Sequence, residues 1–166
     1  IIGETVDPDF EWRTTILPWK FHHSWERSER LLIWLEKIDT KYIIYFQEDF
    51  WLYRPVNQNL LEELVEICAE YDMKLLKLHE WNVNYMLQRT NILVSGRNIS
   101  RVNKNSDYLM CHAVSIWNKE FLINQLKQKK LEDPRTNEIV WTFRMKFDKK
   151  LPTIFHYPFF STKSDT

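Results

Sequence analysis

An α/β fold, with a mostly parallel central sheet flanked by helices, is what this sequence predicts. Three observations lead there. Apolar stripes at 3- and 4-residue spacing alternate with short apolar runs, the pattern of helices alternating with strands. The run Tyr42-Ile43-Ile44-Tyr45-Phe46 carries no charged side chain, as a strand buried on both faces requires. No Pro-, Gly- or Ser-rich linker interrupts the chain, so residues 1–160 read as one domain and 161–166 as a polar tail.

Residues 1–23 are mixed, with an acidic and aromatic stretch ending in Phe21-His22-His23. Ser24 suits the cap of a helix running to about Ile38, striped by Leu31, Leu35 and Ile38 with Trp34 beside them. Asp39-Thr40-Lys41 turns the chain into the strand 42–46. Pro55 stops the segment beyond that strand, and Asn57 caps a helix to about Tyr71 with Leu60, Leu61, Leu64, Cys68 and Tyr71 inward. Lys74 to Leu78 and Asn91 to Ser95 read as strands. Arg97 to Asp107, rich in Asn and Ser, reads as a loop. Ala113 to Trp117 is a short strand. Asn118 then caps a helix carrying Phe121, Leu122 and Leu126, and Lys127 to Lys130 form its basic end. Asp133-Pro134 starts a helix that runs through Trp141 to about Lys146. Thr153 to Tyr157 is the last strand.

Composition narrows the function. The chain of 166 residues is 44% hydrophobic and 28% charged, which suits a globular protein and not a disordered one. Its formal net charge is zero, which argues against a protein built to bind nucleic-acid backbone. Gly3 and Gly96 are the only glycines, so neither GxGxxG nor GxxxxGK[ST] is present. A nucleotide, if bound, is held without a glycine loop. Cys68 and Cys111 sit in apolar settings and read as buried free thiols, in keeping with a reducing, cytoplasmic setting, with membrane contact at most peripheral. No apolar run approaches the roughly 18 residues that cross a bilayer. Asn98-Ile99-Ser100 matches a glycosylation sequon, a pattern that matters only in a secreted protein.

Carboxylates mark the candidate chemistry. Gln47-Glu48-Asp49 directly succeeds the apolar strand, at the carboxyl end where open α/β sheets bind ligands. Two adjacent acids there are costly to bury unless something pairs with them. Neighbours on an extended chain point to opposite faces, so Glu48 and Asp49 take different tasks. A hard divalent cation such as Mg²⁺ or Mn²⁺ would suit one of them. An acidic turn paired with Arg54 or Lys41 would explain them equally. Glu138, in the first turn of the last helix, reads either as a complement to the helix dipole or as a general base.

His79, His112 and His156 lack the close, patterned spacing of a zinc site. His156 is the candidate to join Asp49 at a metal, against the blander reading of a hydrogen-bonded structural histidine. Of the eight tryptophans most serve a core, but Trp81 lies in the polar stretch Glu80-Trp81-Asn82-Val83-Asn84-Tyr85 and suits a stacking platform for a ligand.

Two segments resemble a known family. SWERSERLLIWLEKIDTKYIIYFQEDFWLYRPV is similar to the central part of small GT-A-type glycosyltransferases, where a helix leads into a hydrophobic strand ending in a DxD, xDD or xED signature. CHAVSIWNKEFLINQLKQKKLEDPRTNEIVWTFR is similar to that family's acceptor side, with a strand ending in Trp, a helix and then a carboxylate. Together they span roughly residues 24–146.

The resemblance implies a GT-A-like, Rossmann-like fold and transfer of a sugar from a nucleotide-sugar donor to a glycan or other hydroxyl acceptor, in carbohydrate biosynthesis. It implies that Asp49 contacts a divalent cation and the donor pyrophosphate. Glu48 would lie nearer the donor ribose or sugar, and Glu138 would be the base of an inverting reaction. The signature here is Glu-Asp where Asp-Asp is also found. Ile1-Ile2-Gly3-Glu4 corresponds to what remains of the family's first strand, so the N-terminal part is expected to be incomplete.

Two other readings stand beside it. A metal-dependent nuclease would pair Asp49 with Asp72-Met73-Lys74 in a D…(D/E)xK pattern, although a neutral chain suits duplex DNA poorly. A non-catalytic domain of the same descent would bind a glycan or a partner protein.

Overall fold

A computed structural model describes residues 26–46, 55–80, 86–111, 113–127, 134–147 and 152–161. Its elements run α1 (Glu26–Lys37), β1 (Tyr42–Tyr45), α2 (Gln58–Glu70), β2 (Leu75–Glu80), β3 (Leu87–Val94) and β4 (Arg97–Val102). β5 (Ser115–Asn118), α3 (Lys119–Lys127), α4 (Pro134–Phe147) and β6 (Phe155–Ser161) complete them.

Two asparagines start helices as their positions predict. The Asn57 side chain accepts a hydrogen bond from the Leu60 amide at 3.1 Å and caps α2. Asn118 does the same for α3, accepting from the Phe121 amide at 2.9 Å.

The six described strands form one sheet in the order β1-β5-β2-β6-β4-β3. The fold is α/β in class, but the sheet is not mostly parallel. Among the described strands only β2 and β6 pair in parallel; the other four neighbouring pairs are antiparallel. Alternating helices and strands suggest a crossover at every step. Here β5 runs back between β1 and β2, and β3 and β4 form a hairpin. Directions along the sheet still have a pattern. β1, β2, β3 and β6 run one way, and β4 and β5 run the other. β1, β2 and β6 therefore all end at one edge of the sheet, where β5 begins.

The hairpin corrects a second expectation. Residues Arg97–Val102 are a strand, not a loop. Ser95 and Gly96 both take positive φ, 45° and 76°, as a two-residue turn of the kind that matches strand twist requires. The next six residues are polar for the most part, yet Ile99 and Val102 are buried while Arg97 and Arg101 are exposed. β6 also runs further than expected, through Pro158. The β2–β6 register slips between Lys77 and His79 while β6 advances from His156 to Phe160. Pro158 falls in that slip, where a missing N–H breaks no ladder bond.

Each face of the sheet has its own core. On one, Leu75, Trp117 and Ile154 pack with Leu35 of α1, Leu122 and Leu126 of α3, and Trp141 and Met145 of α4. On the other, Leu76, Leu78, Ile116 and Tyr157 pack with Leu64 and Cys68 of α2. Residues alternate between the faces along β2, as strand geometry dictates. Cys68 and Cys111 are both buried free thiols, as expected.

Candidate functional site

The face covered by α1, α3 and α4 changes character along its length. Toward the start of β2 it is apolar, at Leu75 and Trp117. One pleat further on, a row of polar side chains crosses the sheet. Tyr45 pairs with Ser115, Ser115 with Lys77, Lys77 with His156, and His156 with Ser100. Directly paired residues share a face, so the row is continuous over five strands. His79, two residues beyond Lys77, lies on the same face one step nearer the carboxyl edge.

Lys77 is fully buried, and His79, His156 and Cys111 are buried around it. The Lys77 ammonium donates to the Tyr108 carbonyl and lies 3.4 Å from the Cys111 sulfur. The same sulfur lies 3.6 Å from His79 Nε2. His156 Nε2 meets the His79 carbonyl at 3.0 Å, so that nitrogen carries the proton and donates.

Burial pushes the Lys77 ammonium below the ordinary lysine range, while Cys111 and the Glu138 carboxylate act to keep it charged. His79 is driven down to about 3, first by burial and then by the charges of Lys77 and His156. It is a neutral imidazole at physiological pH.

Glu138 reaches this cluster from α4. Side chains at positions 138, 142 and 146 share one stripe of that helix. Lys146 pairs with Asp107 at 3.6 Å, and the Thr142 hydroxyl accepts from the Met110 amide at 3.2 Å. The stripe thus runs along the segment 107–111, and Glu138 stands one turn before Thr142, half-buried and within electrostatic reach of Lys77. Opposite charges in a setting with little solvent are only weakly screened.

The structure places two of the sequence-predicted residues together. Glu138 and His156 both belong to the face that carries the polar row. Glu48, Asp49 and Trp81 lie outside the described residues, as does His112. In the chain, Glu48 and Asp49 follow β1 and Trp81 follows β2, two strands that end at the same edge. For His156 the Nε2 bond to the His79 carbonyl uses one ring nitrogen structurally. Among the described residues no group of three His, Cys, Asp or Glu side chains is placed to hold a metal.

Sequence reasoning missed Lys77. The signal was present in Leu75-Leu76-Lys77-Leu78-His79: polar residues alternate with leucines inside a buried strand, which marks one polar face under cover.

Asp72 and Lys74 sit elsewhere. They form a 2.7 Å ion pair at the start of β2, and Asp72 lies 3.9 Å from Lys41 at the start of β1. This is the opposite edge from the one at which β1 and β2 end. A pocket of about 280 Å³ near the start of β6, bordered by Arg101, Asn103, Met145 and Thr153, includes no residue of the polar row.

Comparison with known proteins gives no family match, no curated relative and no structural neighbour. Among the described residues no helix is long and apolar enough to cross a membrane.

Proposed function

We propose that this chain is a glycosyltransferase domain of GT-A-like fold that moves a sugar from a nucleotide-sugar donor to a hydroxyl acceptor, with inversion. One observation carries the reading. Tyr45, the last residue of β1, stands in the same cross-sheet row as Lys77, and the charge of Glu138 acts on Lys77. Two strand spacings, about 10 Å, separate β1 from β2. The strand that precedes the acidic run in the chain thus ends at the edge of the sheet toward which Glu138, some ninety residues later, is turned. Sugar transfer needs that convergence of a donor side and a base.

In this reading Glu138 takes the proton of the acceptor hydroxyl as it attacks the anomeric carbon. Lys77 is a positioning residue, its amine held by the Tyr108 carbonyl within electrostatic reach of that carboxylate. Glu48, Asp49 and Trp81 receive the donor. Mg²⁺ commonly takes one or two carboxylates together with substrate phosphates, so Asp49 with a pyrophosphate suffices as a set without a third protein ligand. A divalent cation, when bound there, would offset charge on the leaving nucleoside diphosphate.

The nuclease reading loses support, because Asp72 and Lys74 lie at the edge opposite to the one where β1 ends.

The test is a thermal-shift panel of UDP-, GDP-, CMP- and dTDP-sugars with and without Mn²⁺, and then a transfer assay. A donor at a hundred times its Kd adds about 2.7 kcal/mol to stability. Stabilisation by one nucleotide class, and turnover lost in Glu138→Gln with donor binding retained, is the expected result. Stabilisation by glycans alone would identify a non-catalytic binding domain instead.

A further inference from the structure

Helix α4 presents a second stripe, turned away from the site. Ile139, Phe143 and Phe147 recur every four residues, and all three are strongly exposed, at 59%, 63% and 71%. The Phe143 and Phe147 rings lie against each other with centroids 4.8 Å apart. Opposite them on the helix, Trp141 and Met145 are buried in the core. The helix is therefore apolar on both its inner and outer sides, and only the inner side is covered by described residues. A line of three large apolar side chains facing water implies an occupant.

The charge pattern says which. Helical spacing puts Arg144 on one flank of Phe143 and Lys146 on the other. Arg144 is exposed; Lys146 is partly exposed and shared with Asp107. Over residues 134–150 the sequence holds five basic residues, Arg135, Arg144, Lys146, Lys149 and Lys150, against Glu138 and Asp148. This local excess stands in a chain whose net charge is zero. Glu138, the acid of α4, belongs to the stripe turned toward the site.

A second copy of the chain fits the patch poorly. Three side chains of this size offer about 400 Å² between them, half of the ~800 Å² that each partner of a stable dimer buries. A shallow apolar line bordered by cations matches a bilayer surface bearing anionic headgroups, into which such rings insert to the level of the acyl boundary.

We propose that the outer face of α4 docks this protein on an anionic lipid surface. The inference stands on the helix alone and does not depend on the proposed sugar transfer.

Co-sedimentation with vesicles tests it. The full chain is mixed with phosphatidylcholine vesicles, with or without phosphatidylserine, at low and high salt. Binding to the phosphatidylserine vesicles, weakened by salt and by Arg144→Glu, is expected. The double variant Phe143→Ser, Phe147→Ser is expected to lose about tenfold or more in partitioning while its circular dichroism and Tm hold. These side chains are exposed, so the folded state does not require them. No binding to either vesicle overturns the proposal. So does undiminished binding by the double variant. A dimer in sedimentation velocity that the double variant dissolves would assign the face to a second copy and overturn it equally.

Discussion

Lys77 is the residue whose burial asks most of its surroundings. An ammonium removed from water is tolerated because the Tyr108 carbonyl, the Cys111 sulfur and the charge of Glu138 surround it. Lys77→Ala should cost about 2–5 kcal/mol, since it opens a cavity and leaves the Tyr108 carbonyl without this donor. Lys77→Met keeps most of the stem volume and should cost less; urea titration of the two separates packing from charge. His79 gives a pH signature. Its folded pKa, about 3, lies below the ordinary 6.5. Below pH 6.5 the unfolded chain takes up a proton that the native state refuses, so stability falls as pH drops toward 3. The slope reaches about 1.4 kcal/mol per pH unit for one proton. Tm measured between about pH 4 and 6 should therefore decline, and His79→Gln should flatten the decline by one proton's worth. An unchanged slope would mean that other groups set it.

Elements were legible where one residue decides. Asn57 and Asn118 cap helices as their sequence positions predict, and Asn118→Ala should cost about 1–2 kcal/mol through loss of the Phe121 amide's partner. The Ser95-Gly96 turn permits a cleaner test. A Cβ added at Gly96 would meet nothing within 4 Å, so Gly96→Ala carries only the strain of a left-handed backbone, about 1 kcal/mol. A much larger loss in denaturant titration would show that the hairpin resists more than local strain. β4 was illegible because its polar residues match loop composition, and of its two partners only β3, across the turn, is local; β6, which covers its other side, is distant in the chain. The antiparallel pairing was illegible for a similar reason. Hydrophobic periodicity tells strand from helix but not direction, and nothing in Ser115–Asn118 announces that it runs against β1 and β2. Of the candidate site, Glu138 and His156 were visible as residue types in suggestive places. Their relation to Lys77 was not, because it depends on that same register.

At the scale of the molecule the sheet separates stability from chemistry. The face under α1, α3 and α4 is dry and apolar near the start of β2 and polar toward its end. The far edge holds the exposed Asp72–Lys74 pair, and the β3–β4 hairpin stands at one side of the sheet. A ligand seated at the carboxyl edge should therefore quiet only part of the backbone. The junction there is short: the Leu78 amide donates to the Val114 carbonyl at 3.0 Å, tying the end of β2 to the approach of β5. Hydrogen exchange with a stabilising nucleotide sugar should slow amides around Leu78 and Ser115 and leave those of β3 from Leu87 to Leu93 unchanged. Local opening free energies differ between such regions, so the contrast is readable within one protein. Protection confined to β3 would move the binding site away from the polar row. It would also separate Glu138 from the donor it is proposed to serve, whatever the transfer assay gives.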